Sequence, residues 1–352
     1  MSQYIALDVH CAFTEMVVVD SRGRIVKRER VATRIPHLEM VLNEVGKPRW
    51  LTFEEGPMSG WLYRHLQGLV DKLVVCDPRR NRLVSKDSDK DDPIDAEKLA
   101  QLLRGGYLKE VHQAESLERA VFKQHVGLYH DSVRGRVRMA NMILAQFRRF
   151  GIFSSEREMV DGEIRSTLLR QLPAKGPLRE DIQTLWRTYD AHLEQEEQMR
   201  RRLVSQGRRE ATIRHFVQVP GILWVRAATF FAYVDTPWRF RSKQALWKYA
   251  GIGLERSHSG CGPTQLRVAQ YANRRLRGVL LGAAKTVIGN RTHPFYDQYQ
   301  HWTQEQGISA RNARRNVARS LASTLWGMWK NGSEYRPQFV GQGGKTADTL
   351  AS

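Results

Sequence analysis

The chain opens on three short apolar runs, residues 4–9, 14–19 and 24–31, separated by brief polar segments. Asp20, Ser21 and Gly23 supply turn chemistry between the second and third, so the pattern predicts an antiparallel three-stranded start. Residues 35–45 carry Leu38, Val41, Leu42 and Val45 at helical spacing and stop at Gly46. A strand over 50–53 ends in Glu54-Glu55-Gly56. A helix over 57–69 follows, with Trp61, Leu62, His65, Leu66 and Leu69 on one side. Residues 73–76 read as a fifth strand, Pro78 opens a helix, and another helix begins at Asp92-Pro93-Ile94-Asp95. There Asp92 suits an N-cap, Pro93 the first helical position and Asp95 the first turn.

Two long helices come next. Residues 116–150 hold no proline. Residues 178–209 show Ile182, Leu185, Tyr189, His192, Glu196, Met199 and Leu203 at steps of three and four, a heptad seam weakened by His192 and Glu196. An antiparallel hairpin with its turn near 173–177 is expected, and because so long a pair projects beyond a compact domain its seam is read as a partner contact ahead of intramolecular core. Beyond residue 211 the apolar spacing is helical again: Leu276, Leu280, Ala283 and Val287, then Val317, Leu321, Leu325 and Met328. Three strands followed by alternating helix and strand is the order of a ribonuclease-H-like mixed sheet, so the fold class is α/β plus α. The divisions expected are 1–112, 113–210 and 211–331, with a disordered tail over 332–352.

Charge changes the picture. The 352 residues include 56 Lys plus Arg against 37 Asp plus Glu, a formal net charge of +19. Such a balance points to a polyanion, most simply nucleic acid. It is not spread evenly. No Asp or Glu occurs between Arg256 and Tyr296, where Arg256, Arg267, Arg274, Arg275 and Arg277 fall, nor over 306–333, which holds Arg314 and Arg315. One-sign runs of this kind suit phosphates. The longest apolar stretch, 222–234, is too short to span a bilayer and contains Arg226, no polybasic anchor is present, and no signal peptide is read ahead of Tyr4. Cys11, Cys76 and Cys261 have neither metal-ligand nor disulfide spacing, which suits a reducing cytoplasm.

Four carboxylates are candidates for chemistry. Asp8 lies in an apolar strand, where a carboxylate is costly without a cation or donor. Glu54 ends another strand, with Glu55 as its rival. Asp92 could be capping alone, but Asp95, Leu99 and Leu102 follow i, i+4, i+7, which sets Asp95 on the apolar face. Oxygen ligands without histidine or cysteine suit magnesium or manganese, and such ions serve phosphodiester exchange. The stretch Ser257-His258-Ser259-Gly260-Cys261-Gly262 reads as an ordinary loop sooner than as a nucleophile, since no triad is local. Val219-Pro220-Gly221-Ile222 is similar to the hairpin of helix-hairpin-helix DNA-binding elements, with Leu223 where a second glycine is common; a plain interhelical turn reads equally well.

In combination the chain resembles the DEDD-type transposases of the insertion-sequence 110 family, recombinases guided by a bridge RNA. The matching residues are Ala6-Leu7-Asp8, Phe53-Glu54, Asp92-Pro93-Ile94-Asp95-Ala96, Val219-Pro220-Gly221-Ile222, Tyr249-Ala250-Gly251-Ile252, Ser259-Gly260 and Asn273-Arg274-Arg275-Leu276-Arg277. Glu55-Gly56-Pro57 departs from the Ala-Thr-Gly often found there. The resemblance implies a RuvC-like first domain, a coiled-coil insertion and a transposase domain with a catalytic serine. Asp8, Glu54, Asp92 and Asp95 match the magnesium-binding tetrad, and Ser259 matches a serine that attacks a DNA phosphate. It further implies a homodimer assembling to a tetramer, double-stranded DNA at element ends and target, an element-encoded RNA, and a cytoplasmic, nucleoid-associated place of action. A RuvC-like Holliday-junction resolvase that hydrolyses DNA with no covalent intermediate is the alternative. A non-catalytic binder would leave four carboxylates in a basic chain unexplained.

Overall fold

The computed structural model describes residues 1–79, 92–114, 116–257, 265–268, 272–291 and 293–340, with the side chains of residues 92–93, 255–257, 265–268 and 339 outside the description. The chain divides into two units, Met1–Ala120 and Val121–Ser352.

The first unit is the mixed sheet that the strand pattern predicts. Strands β1 (Gln3–Val9), β2 (Phe13–Val19), β3 (Ile25–Ala32), β4 (Arg49–Glu54) and β5 (Lys72–Cys76) take the order β3-β2-β1-β4-β5. The first three are antiparallel, and β4 and β5 run parallel to β1. Helices α1 (Ile35–Asn43) and α2 (Ser59–Leu66) cover one face, where Leu38, Val41, Leu42, Leu62 and Leu66 pack on Ile5, Leu7, Met16, Val18, Leu51 and Phe53. Helix α3 (Asp92–Gly105) covers the other, with Ala96, Leu99 and Ala100 against Ala6, Val17, Val19 and Cys76. Central β1 is thus buried on both faces, which is why it reads as an apolar run without alternation. Pro78 and Arg79 form a turn; the remainder of the helix expected from Pro78 lies outside the described residues.

The second unit holds the long helices α4 (Leu117–Arg148, which starts in the first unit) and α6 (Leu178–Arg209). They are antiparallel: His125 bonds Gln206 at 2.9 Å, Arg136 bonds Glu196 at 2.5 Å, and the Phe147 and Trp186 rings lie 5.8 Å apart. The α6 seam, read as a partner contact, is therefore filled from within the chain by Ala140, Ile143, Leu144 and Phe147. Its two polar positions are accommodated locally. Glu196 meets Arg136, which also pairs with Glu156, and a side chain at Gly135 would come within 3.3 Å of the His192 ring. The hairpin is not closed by residues 173–177 alone. A short helix α5 (Gly162–Gln171) intervenes, begun by Asp161, whose carboxylate accepts from the Glu163 and Ile164 N–H groups.

Beyond it come α7 (Ala211–Phe216), α8 (Trp224–Val234), α9 (Lys243–Tyr249), a two-stranded sheet of β6 (Leu254–Ser257) and β7 (Gln265–Val268), then α10 (Arg274–Gly289), α11 (Pro294–Gln300) and α12 (Ala310–Asn331). Helices α8, α10 and α12 share one core through Phe230, Leu280 and Leu321. Of the tail expected to be disordered from Gly332, residues 332–340 pack on the second unit: Tyr335 stacks on Phe295 and its N–H donates to Gln218 at 3.1 Å; residues 341–352 lie outside the described residues. Among the described residues no helix is long and apolar enough to cross a membrane.

Candidate active site

Alternation along β1 sends Ile5 and Leu7 toward α1 and α2, and Tyr4, Ala6 and Asp8 toward α3. In β4, Leu51 and Phe53 take the first face, so Glu54 belongs to the second. Its register partner Cys76 packs there too. Leu7 pairs with Phe53 in the parallel ladder, so Asp8 and Glu54 each stand one residue beyond that pair, at the carboxyl ends of adjacent strands. That is where open α/β sheets bind their ligands. Helix α3 runs back against β1: Gln101 near its end donates to the Gly23 carbonyl at 2.7 Å, in the turn beside the start of β1. Its first turns, with Asp95, consequently lie toward the Asp8 end.

Asp8 lies within β1 as expected, half-buried near the strand end, with His10 Nε2 3.1 Å from its Oδ2. One expectation needs correction. On α3 the buried stripe is Ala96, Leu99, Ala100 and Leu103, with Leu102 half-buried, so Asp95 flanks the stripe instead of lying in it. A half-buried flank leaves a carboxylate able to meet a ligand. The Asp92 side chain lies outside the described residues. Among the described residues no three His, Cys, Asp or Glu side chains are gathered closely enough to hold a metal ion. The donor set on this face, carboxylate oxygens at two strand ends and on a helix, has the chemistry of a hard divalent-cation site.

Three neighbours escaped the sequence reading. Glu15 is opposite Asp8 in the β1–β2 ladder and 7% exposed, and Arg30 of β3 pairs with it. The Arg30 guanidinium also lies 4.4 Å from the centre of the Phe13 ring. Glu15 shares the alternation of Val17 and Val19, a signal that would have placed it on the α3 face. His10, its ring tilted against Phe13 with centroids 4.7 Å apart, gave no signal beyond its proximity to Asp8.

Ser259 lies outside the described residues, in the stretch that joins β6 to β7, as do His258 and Cys261. The side chains of Arg256 and Arg267, on those strands, are likewise undescribed. Arg274 is exposed in the first turn of α10, where Asn273 caps the helix by accepting from the Leu276 N–H at 2.9 Å. Arg275 is engaged within the chain, donating to the Tyr233 hydroxyl at 2.6 Å and to Asp131. On α12, burial and then the charges of Arg311, Arg277 and Arg314 hold the Arg315 pKa below its ordinary value. Burial and then Arg315 do the same to Arg319, which donates to the Ile252 carbonyl at 2.7 Å. Such crowding of guanidinium groups is relieved by phosphate.

The Pro-Gly turn between α7 and α8 explains its own departure from the helix-hairpin-helix pattern. Gly221 has φ +76°, and a Cβ there would come 2.8 Å from Val287 and 3.0 Å from the Ala283 carbonyl, so only glycine fits. Leu223 is extended, with φ −92° and ψ 174°, and 70% exposed, so that position places no demand for glycine.

Comparison with known families places both units. The DEDD IS110 family model, described as transposase, matches residues 5–151, which runs from within β1 through α3 and α4. The model described as transposase of the IS116/IS110/IS902 family matches residues 213–300, from within α7 to the end of α11. No curated protein matches the chain. With the two matches lying in order along the chain, it belongs to the IS110 family of DEDD transposases.

Proposed function

We propose that this transposase excises and inserts its element by strand exchange through a serine, with Asp8, Glu54, Asp92 and Asp95 holding a divalent ion, magnesium or manganese. The supporting observation is the placement of Asp8 and Glu54 at adjacent carboxyl ends on the face that α3 covers with Asp95. It agrees with the divalent-metal dependence of DEDD transposases. Bound there, the ion would supply Lewis-acid stabilisation of charge on the phosphate oxygens. Ser259 Oγ forms the bond to phosphorus as the bond to the leaving deoxyribose oxygen breaks, and that oxygen takes up a proton. A hydroxyl from the incoming strand then attacks the phosphoserine, restoring a phosphodiester and releasing the serine. One bond is exchanged for another of the same kind, so no high-energy cofactor is required.

In this reading residues 1–112 form the RuvC-like domain, 113–210 the coiled-coil hairpin and 211–331 the serine-bearing domain. The arginines of α10 and α12, Arg274, Arg277, Arg314 and Arg315, hold nucleic-acid backbones. Base pairing to an element-encoded bridge RNA chooses the sites, and copies of the chain assemble as a dimer or tetramer around donor and target in the nucleoid. Incubating the protein with matched donor, target and RNA, then resolving it on a denaturing gel, tests the covalent step. A protein–DNA adduct lost in Ser259→Ala supports it; recombination by Ser259→Ala at the wild-type rate contradicts it and returns the site to metal-only hydrolysis.

A further inference from the structure

A cavity of about 930 Å3 opens in the second unit where α4, α6, α8 and α10 meet. That is near the upper end of the roughly 300–1,000 Å3 span of small-molecule sites. Its lining includes Arg134, Arg200, Arg226, Arg274 and Arg275 and no aspartate or glutamate. Three of these have carboxylate partners on their own helices or neighbours: Arg134 and Arg275 pair with Asp131, and Arg200 with Glu197. Arg226 has none among the described residues. It donates instead to the Gly221 carbonyl at 2.6 Å and to the Thr286 hydroxyl at 3.0 Å, and burial lowers its pKa. A half-buried guanidinium without a counter-charge is costly until an anion meets it.

Helix α8 begins at the same wall. Its N-cap is Leu223, which offers no acceptor, so no side chain caps the first-turn N–H groups. The first-turn residues Trp224, Val225 and Arg226 are themselves part of the lining, so the positive end of the helix lies at the cavity. On α10, Arg274, Gly278, Gly282 and Thr286 follow one another at four-residue steps along the cavity, while Leu276, Leu280 and Ala283 bury the opposite side. Glycine inside a helix lowers its stability, yet a Cβ on Gly278 would meet nothing within 4 Å. No steric demand of the fold accounts for a missing side chain there; open space does. The rest of the wall is apolar, including Val133, Val204 and Trp224. His130 adds no charge near neutral pH: burial, and then the charge of Arg275, push its pKa down to about 4, and its Nε2 donates to the Thr229 hydroxyl at 2.9 Å, which in turn donates to the Val225 carbonyl at 2.7 Å.

We infer that this cavity takes one unpaired nucleotide of a nucleic-acid strand, its phosphate on Arg226, Arg274 and the amino end of α8, its base against the Val133, Val204 and Trp224 wall. The inference rests on the nucleic-acid reading above and adds a site to it. Arginines on the exposed side of α12 meet a duplex backbone. A concave site walled by apolar side chains admits a base only after it has left its pair.

The test uses the full chain and fluorescence anisotropy with a labelled mixed-sequence strand, as DNA and as RNA, beside the corresponding duplex. Gly278→Phe fills the cavity from a position with room for it; Gly278→Ala leaves the cavity open and controls for helix stability. Thermal unfolding confirms that both variants fold. Gly278→Phe is expected to weaken single-strand binding about tenfold or more while duplex affinity and Gly278→Ala stay at the wild-type level. The more affected of the two strands names its source as DNA or RNA. Unchanged single-strand affinity in Gly278→Phe, or equal loss for strand and duplex, overturns the cavity assignment and leaves the functional reading standing. A wild-type chain that binds neither strand nor duplex overturns both.

Discussion

Glu54 closes β4 in register with Cys76 of β5, and Cys76 is packed beneath α3. On the proposed reading, the face shared with Asp8 favours Glu54 over its neighbour Glu55. Glu54 shares the face of Asp8, whereas Glu55 follows the strand and its N–H is already given to the Cys76 carbonyl at 2.8 Å. Replacing Glu54 by Gln is expected to lower recombination by about a hundredfold or more, as loss of a metal ligand removes several kcal/mol of transition-state stabilisation. Glu55→Gln should stay within a few-fold of wild type. The pair of rates, measured on the same donor and target, checks the assignment.

Arg136 binds two acidic side chains at once, Glu196 across the α4–α6 seam and Glu156 in the loop after α4. The Arg136 and Glu196 side chains are 18% and 17% exposed, so the pair is largely removed from solvent. Arg136→Ala leaves two carboxylates facing each other and is expected to cost about 1–3 kcal/mol in denaturant unfolding. The double variant with Glu196→Ala should lose less than the sum of the single losses.

Gly221 and Leu223 make opposite predictions two residues apart. Gly221→Ala forces a side chain into a left-handed backbone and against Val287 and the Ala283 carbonyl, and is expected to cost about 2–4 kcal/mol. Leu223→Gly, at an extended and exposed position, should change stability by under about 1 kcal/mol. Thermal unfolding of the two variants separates a turn fixed by packing from one fixed only by sequence habit.

Burial, and then the charge of Arg275, push the His130 pKa from 6.5 down to about 4. Between those values the unfolded chain binds a proton that the folded chain does not. Stability is therefore complete above pH 6.5 and falls as pH drops toward 4. His130→Gln should flatten that part of the profile; an unchanged slope would mean that the ring is protonated in the fold.

The sheet was legible because its signals are local. Three alternating or continuous apolar runs, turn residues at Asp20 to Gly23 and a helix after each later strand leave little choice of topology. Asp8, Glu54 and Asp95 could be selected because carboxylates beside apolar stripes stand out. Helix α5 was hidden because its ten residues bury only Leu168 fully. The β6–β7 hairpin was hidden because its strands are four residues each and carry mixed polarity. The Arg275 partners Asp131 and Tyr233 were not legible, since they are remote in the chain and only the fold brings them near. Arg30 is unreadable singly, because it becomes informative only once the strand register sets it beside Glu15.

The central claim is that Asp8, Glu54, Asp92 and Asp95 share one divalent ion, and manganese reports on it directly. A crystal of the chain soaked in Mn2+ should give an anomalous peak between the Asp8 and Asp95 carboxylates, and Asp8→Asn should abolish it with the fold intact. A peak that persists in Asp8→Asn, or a soaked wild-type crystal with manganese bound only elsewhere, would contradict the account.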